Sequence, residues 1–600
     1  MRRQRRGGRT QQTPVPDDLG GRPALRSAGP DPTAAPPGSA GAIRRDQGTD
    51  HQAPSMSQDR AKQAPIGPAP SRWPMPGPRT VERPTAYADR IGEWCIRQKT
   101  DRERKEHGLF LTPAVVAGFM AGRITCEEHE IRVLDPAAGA GILCCAAVEH
   151  LASRRVKPRI VKLIAHEIDR DLLPPLQAVL DHLADWCRRR YGVTVSVRIE
   201  TTDFILANAK LLHPRGLFPK RSAAEPFDVV IANPPYFKIG KDDPRAAAVS
   251  EVVHGQPNIY ALFMAAGAAL LRQRGDFVFI TPRSFASGPY FRQFRTVFFD
   301  LIRPARVHVF GSRRDAFRRD AVLQENVIVY GVRQDHGLEN RSTVEISSSL
   351  GVDDLGEPSV RQVPASTVLN LDSPEKVLRL PVCDDDERAL AVVDAWPSSL
   401  SDLGLNISTG PVVAFRANKF IAEDGEIPVT HVPLLWMNHV RAMEARWPLS
   451  RHKPEYIVRR GAGALLLPNR NYVLLRRFSA KEEPRRLTAA PFIAAAFQVP
   501  EVGLENHLNY VHRPGGELSE DEAWGLAALY NSRLLDTWFR TVNGNTQVNA
   551  TELRAMPLPT HEAIVALGRQ VKHLPDPAAK VDALVASMMV PLPWKEAAVG

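Results

Sequence analysis

The chain has 600 residues, 43% hydrophobic and 24% charged, an ordinary globular composition with room for two or three sizeable cores. Its net charge is +11, and the excess is uneven: residues 1–84 hold 14 Arg and Lys against 7 Asp and Glu. No stretch approaches a membrane-spanning run, no apolar segment follows the N-terminal arginines, and the six cysteines form no Cys-x-x-Cys pair, so the expectation is a cytoplasmic chain with reduced thiols, no membrane contact and no metal.

Residues 1–84 are rich in Pro, Gly, Ala and Arg without apolar periodicity, and are expected to form a disordered basic tail. Ordered structure should start near Thr85, with residues 87–107 helical. Thr112 then reads as an N-cap and Pro113 as the first residue of an apolar helix, Ala114-Val-Val-Ala-Gly-Phe-Met120. The free N–H groups of such a start suit a carboxylate.

Ile131-Arg-Val-Leu-Asp135-Pro-Ala137-Ala-Gly139-Ala-Gly141 reads as strand, acid, tight turn and helix. Small residues let the backbone approach a ligand, and an acid at the strand end can hold a cation such as an α-amino group. The spacing is neither G-x-G-x-x-G nor G-x-x-x-x-G-K-[ST], so dinucleotide and nucleoside-triphosphate readings recede. A second strand runs into Glu167, where such folds bind ribose hydroxyls, and a third, Val193–Glu200, runs towards Asp203 and Phe204. Asp203 could accept from an adenine amine, with Phe204 packing on the ring.

Phe227-Asp-Val-Val-Ile-Ala-Asn-Pro-Pro-Tyr236 is a buried strand halted by two prolines. That puts Asn233 at the carboxyl end of a parallel strand, where open α/β sheets place ligands. The Asn233 amide oxygen and the Pro234 carbonyl, with Pro235 stiffening the turn, are two fixed acceptors suited to a group with two N–H bonds. Tyr236 offers a face for a planar base. In the alternative reading Asn233 caps the next element and Tyr236 packs in the core.

Beyond it, residues 238–257 form a polar loop long enough to contact substrate, followed by a helix carrying Ile259, Leu262, Phe263 and Ala266. Gly275–Pro282 reads as a strand, 289–303 as a helix, and Val307–Phe310 with Asn326–Val332 as paired strands. Between that pair, Phe317 stands among arginines, as on a surface meeting phosphates and a splayed base. The βα rhythm stops near 345. Residues 346–395 read as an acidic linker and 396–600 as a second domain, with Arg476, Arg477, Lys481, Arg485, Asn545 and Gln547 as candidates for contacting phosphates and base edges. Ala523–Arg540 reads as one structural helix.

With Asp135-Pro-Ala-Ala-Gly-Ala-Gly141 about a hundred residues before Asn233-Pro-Pro-Tyr236, the chain resembles the gamma-class adenine-N6 DNA methyltransferases of type II restriction–modification systems over roughly residues 85–560. The resemblance implies an α/β fold: a Rossmann-like, seven-stranded S-adenosyl-L-methionine-dependent catalytic domain over 85–345, plus a mixed α+β target-recognition domain. It implies that Thr112 and Pro113 lie by the cofactor's carboxylate, Asp135 holds its amino group, Glu167 its ribose, and Asp203 and Phe204 its adenine. Asn233 and Pro234 would take the target amine, Tyr236 would stack on a flipped adenine, and Phe317 would close on the other side. Ala138 stands where the family often has Cys or Gly, and Leu109-Phe110-Leu111 replaces a more polar pair. The implied partner is double-stranded DNA, bound by a monomer, with a separate cognate restriction endonuclease. Rival readings are methyl transfer to an RNA base or a release-factor glutamine, and a bifunctional restriction–modification enzyme; the large region after 345 argues against the release-factor reading.

Overall fold

The computed structural model describes residues 74–100, 112–212, 225–240, 242–249, 252, 258–311, 325–334, 343–449, 453–544 and 546–590. The expected tail is outside them up to residue 73, as are residues 101–111, Phe317 and Asn545.

The strands of the main sheet are β1 (Glu130–Asp135), β2 (Ile160–His166), β3 (Thr194–Glu200), β4 (Phe227–Ala232), β5 (Leu271–Pro282), β6 (Ile302–Phe310), β7 (Asn326–Arg333), β8 (Thr343–Ser349) and β9 (Ser359–Pro364). They lie in the order 3-2-1-4-5-7-6-8-9. The neighbours from β3 to β5 are parallel, and β7 runs antiparallel between β5 and β6. The sheet has nine strands where seven were expected, with β8 and β9 at its edge. Residues 346–395 are therefore not a linker: Ile346 and Val363 are buried against the sheet, and a helix, Asp384–Asp394, follows. Polar residues such as Ser348, Ser359, Arg361 and Gln362 on the less buried positions had masked the strand alternation.

Helices cover both faces. Pro84–Gln98, Ala114–Ala121, Ile142–Ser153 and Leu173–Tyr191 pack on one, and Ile259–Leu270 with Arg292–Leu301 on the other. Every residue of β4 is buried, as a strand covered on both faces requires. After β1 the chain goes to β2 on one side, and β4 later joins β1 on the other, with Leu134 beside Ile164 and Val230. This reversal opens a crevice at the strands' carboxyl ends.

Local boundaries differ in instructive ways. Among the described residues the first helix is Pro84–Gln98, and the next begins at Ala114 with Pro113 at the N-cap position and no side-chain cap. Thr112 does not cap it; its hydroxyl is bonded elsewhere. The expected helix Ala523–Arg540 is two, Glu520–Asn531 and Arg533–Val542, because Ser532 is extended and caps the second through Leu535 N.

The C-terminal region builds a four-stranded and a five-stranded sheet, with a third core of helices including His561–Val571 and Pro577–Met589. It is joined to the catalytic sheet by buried polar contacts. The Arg283 guanidinium, just past β5, donates to the carbonyls of Arg540 (2.9 Å) and Thr541 (2.7 Å) and pairs with Glu325 (3.5 Å), which also meets Lys481 (3.0 Å).

Candidate active site

A cavity of about 280 Å³ opens where β1 to β4 end. Its wall includes Ala137 and Gly139 of the turn, Glu167 after β2, Asp203 and Phe204 after β3, and Thr112, Asn233 and Pro235. Segments spread over more than a hundred residues thus share one wall, because parallel strands all deliver their carboxyl ends to one edge.

The turn after β1 is shaped by two glycines in the left-handed region, Gly139 at φ 55° and Gly141 at φ 87°. At Gly141 a Cβ would stand 2.9 Å from Leu176 Cδ1, so both space and backbone ask for glycine. Gly139 N donates to the Glu167 carboxylate at 2.8 Å, and Asp169 N donates to the same group at 2.8 Å. Burial holds the Glu167 carboxyl above its ordinary value, against these two bonds.

Asp135 was expected on the cavity wall and lies beneath the turn instead. Its side chain is fully buried and off the cavity wall, accepting from Ala137 N (3.2 Å) and the Cys144 thiol (3.4 Å). Burial raises its pKa to about 7. In this structure Asp135 braces the turn from beneath. Gly141 and Pro113 are likewise off the wall.

Asp203 lines the cavity while one carboxylate oxygen caps Phe204–Asn208 through Leu206 N (2.9 Å). Phe204 stacks on Phe263, with ring centroids 5.4 Å apart. Asn233 sits one residue past β4. Its Nδ2 donates to Thr112 Oγ1 at 3.1 Å, and its Oδ1 accepts from the Tyr236 hydroxyl at 2.5 Å. That hydroxyl also approaches the Ile280 carbonyl at 3.0 Å. Tyr236 and Pro234 are buried and not on this wall, and Tyr236 meets Tyr260 edge to face. In this structure Tyr236 therefore packs in the core, the alternative reading of its sequence, with no open face towards the cavity.

Sequence reasoning missed Phe237, Ile168, Ile259, Phe263 and Arg245 on the same wall. Arg245 had a legible signal: Asp243-Pro244 starts the helix Pro244–Ala248, and Asp243 both caps it and binds the Arg245 guanidinium at 2.9 and 2.6 Å.

The candidate DNA contacts fare differently. Arg476 donates to the Val440 carbonyl (2.7 Å), Arg477 to Asn506 (2.9 Å), Lys481 pairs with Glu325, and Arg485 with Asp582. Gln547 pairs through its backbone with Phe478 and accepts from Asn543. In this structure each of these cations has a protein partner. Nothing in a run such as Arg476-Arg477 distinguishes a free guanidinium from one bonded to a carbonyl far along the chain.

Residues 87–173 match the family model of the N-6 DNA Methylase, and residues 191–317 that of the Eco57I restriction-modification methylase. These matches define the class, a DNA methylase. The type II methyltransferase M.PstI of Providencia stuartii is 34% identical over 500 residues, 83% of this chain and 96% of that protein. M.BsuBI of Bacillus subtilis is 33% identical over 479 residues, 78% of this chain and 91% of its own length. The chain belongs to the type II methyltransferases of restriction–modification systems.

Proposed function

We propose that this DNA methyltransferase moves a methyl group from S-adenosyl-L-methionine to the exocyclic N6 amine of an adenine extruded from duplex DNA. One observation carries the reading: a single cavity joins the glycine turn after β1 to Asn233 after β4. Its chemistry suits the cofactor. Glu167 retains acceptor capacity for ribose hydroxyls beyond its two amide bonds, Asp203 adds a second carboxylate, and Phe204, Ile168 and Phe237 supply apolar and aromatic surface for a planar base.

When bound, the cofactor supplies an electrophilic methyl on a sulfonium. The protein's part is to present the amine. Asn233 Oδ1 and the Pro234 carbonyl accept its two hydrogens, which withdraws the nitrogen lone pair from the ring and aims it along the line of attack. Holding both reactants in that geometry supplies much of the rate enhancement. The amine would gain the methyl group and pass its surplus proton to water. Extrusion of the base costs a few kcal/mol of unstacking, offset by contacts in the pocket. Tyr236 stacks on the base once it turns out of its core position. The region after residue 395 recognises the target sequence, the working form is a monomer, and a separate endonuclease cuts the unmodified site.

Incubation with labelled S-adenosyl-L-methionine and plasmid DNA, followed by digestion to nucleosides, is expected to yield N6-methyladenine. Label in a cytosine derivative, or none in DNA, would sink the reading.

A further inference from the structure

Resting on that reading, we infer that Thr112 is a positioning residue that sets which way the Asn233 carboxamide faces. The reaction needs an amide oxygen towards the target. A carboxamide turned over would present its NH2 group instead, a donor facing a donor, while keeping nearly the same shape. Something must break that symmetry. In the structure Nδ2 donates to Thr112 Oγ1 and Oδ1 accepts from the Tyr236 hydroxyl.

The two hydroxyls are not equivalent. Tyr236 approaches two acceptors, Asn233 Oδ1 and the Ile280 carbonyl, and can serve either amide orientation: donating to Oδ1, or accepting from Nδ2 while donating to Ile280. Thr112 decides between them. It is 3% exposed and lines the cavity that receives the cofactor. A hydroxyl whose single proton is given to an anionic group in that cavity can only accept from its other neighbour, which obliges Asn233 to turn Nδ2 towards Thr112 and Oδ1 away from it. Cofactor occupancy thereby commits the amide to the orientation the reaction requires. Thr112, which the helix does not use as a cap, is used as this reporter.

Thr112→Val keeps the side chain's shape and removes the hydroxyl; Thr112→Ser restores the hydroxyl. At saturating cofactor, Thr112→Val is expected to slow single-turnover methylation by about tenfold or more, the loss that one misdirected hydrogen bond of about 1.4 kcal/mol produces, and Thr112→Ser to recover most of it. Duplex DNA binding supplies a second readout: S-adenosylhomocysteine should tighten binding to wild type and Thr112→Ser, and this coupling should vanish in Thr112→Val. Wild-type turnover by Thr112→Val at saturating cofactor, or a Thr112→Ser variant as slow as Thr112→Val, would overturn the assignment. Wild-type protein producing no N6-methyladenine would instead overturn the proposed reaction itself.

Discussion

Asn233 is placed by its two chain neighbours. Ala232 ends the strand, Pro234 forbids its continuation, and the side chain lands on the cavity wall. Asn233→Ala should abolish methyl transfer while cofactor affinity, measured by calorimetry, stays within a few-fold, because the rest of the wall is untouched. Undiminished turnover would remove Asn233 from the mechanism. Asp135 makes the opposite kind of claim, about stability. Its folded pKa of about 7 lies above 3.8, so the folded state binds that proton more tightly. Stability then falls as pH rises from 3.8 to about 7 and stays lowered above, by up to roughly 4 kcal/mol. Asp135→Asn removes the titration. Its melting temperature relative to wild type should therefore gain steadily between about pH 4 and about pH 8, and a flat difference would show that this carboxyl does not titrate there.

Helix Glu520–Asn531 meets His561–Val571 so closely that a Cβ on Gly568 would lie 1.8 Å from the Asp521 carbonyl oxygen, and one on Gly525 would lie 2.0 Å from that of Ile564. Two backbones cannot approach in this way with any larger residue between them. Gly568→Ala should lower stability by about 1–3 kcal/mol in urea unfolding, through overpacking rather than backbone strain. An unchanged midpoint would mean that the helices separate freely. The main strands around the site were readable as short apolar runs with an acid or Pro-Pro at the end. The strands β8 and β9 were not, because their buried residues alternate with charged and polar ones in a stretch that resembles a solvated linker.

Arg283 is buried, and its guanidinium reaches two carbonyls at the end of Arg533–Val542. Gly544 lies against the same side chain, where a Cβ would stand 2.7 Å from Arg283 Cγ. The run around Asn543, which looked like a reader of bases, instead forms part of this joint: Asn543 bonds Arg486 (3.0 Å) and Glu552 (2.5 Å), and Ser287 reaches Glu552 from the catalytic side (3.3 Å). Arg283→Met leaves Glu325 with Lys481 but takes the donor from the Arg540 and Thr541 carbonyls, so it should cost about 1–3 kcal/mol and split the thermal unfolding of the two regions in calorimetry. A single unchanged transition would show that the joint is held by other contacts.

Contiguous residues alone determined where the strands end and where a donor pair could be received, since proline, glycine and apolar runs act on their own backbone. The fate of the arginines after residue 475, the inward turn of Tyr236 and the retreat of Asp135 beneath its loop were decided only in three dimensions. Each depends on a carbonyl, carboxylate or ring delivered from far along the chain, and local sequence carries no record of which distant group will arrive.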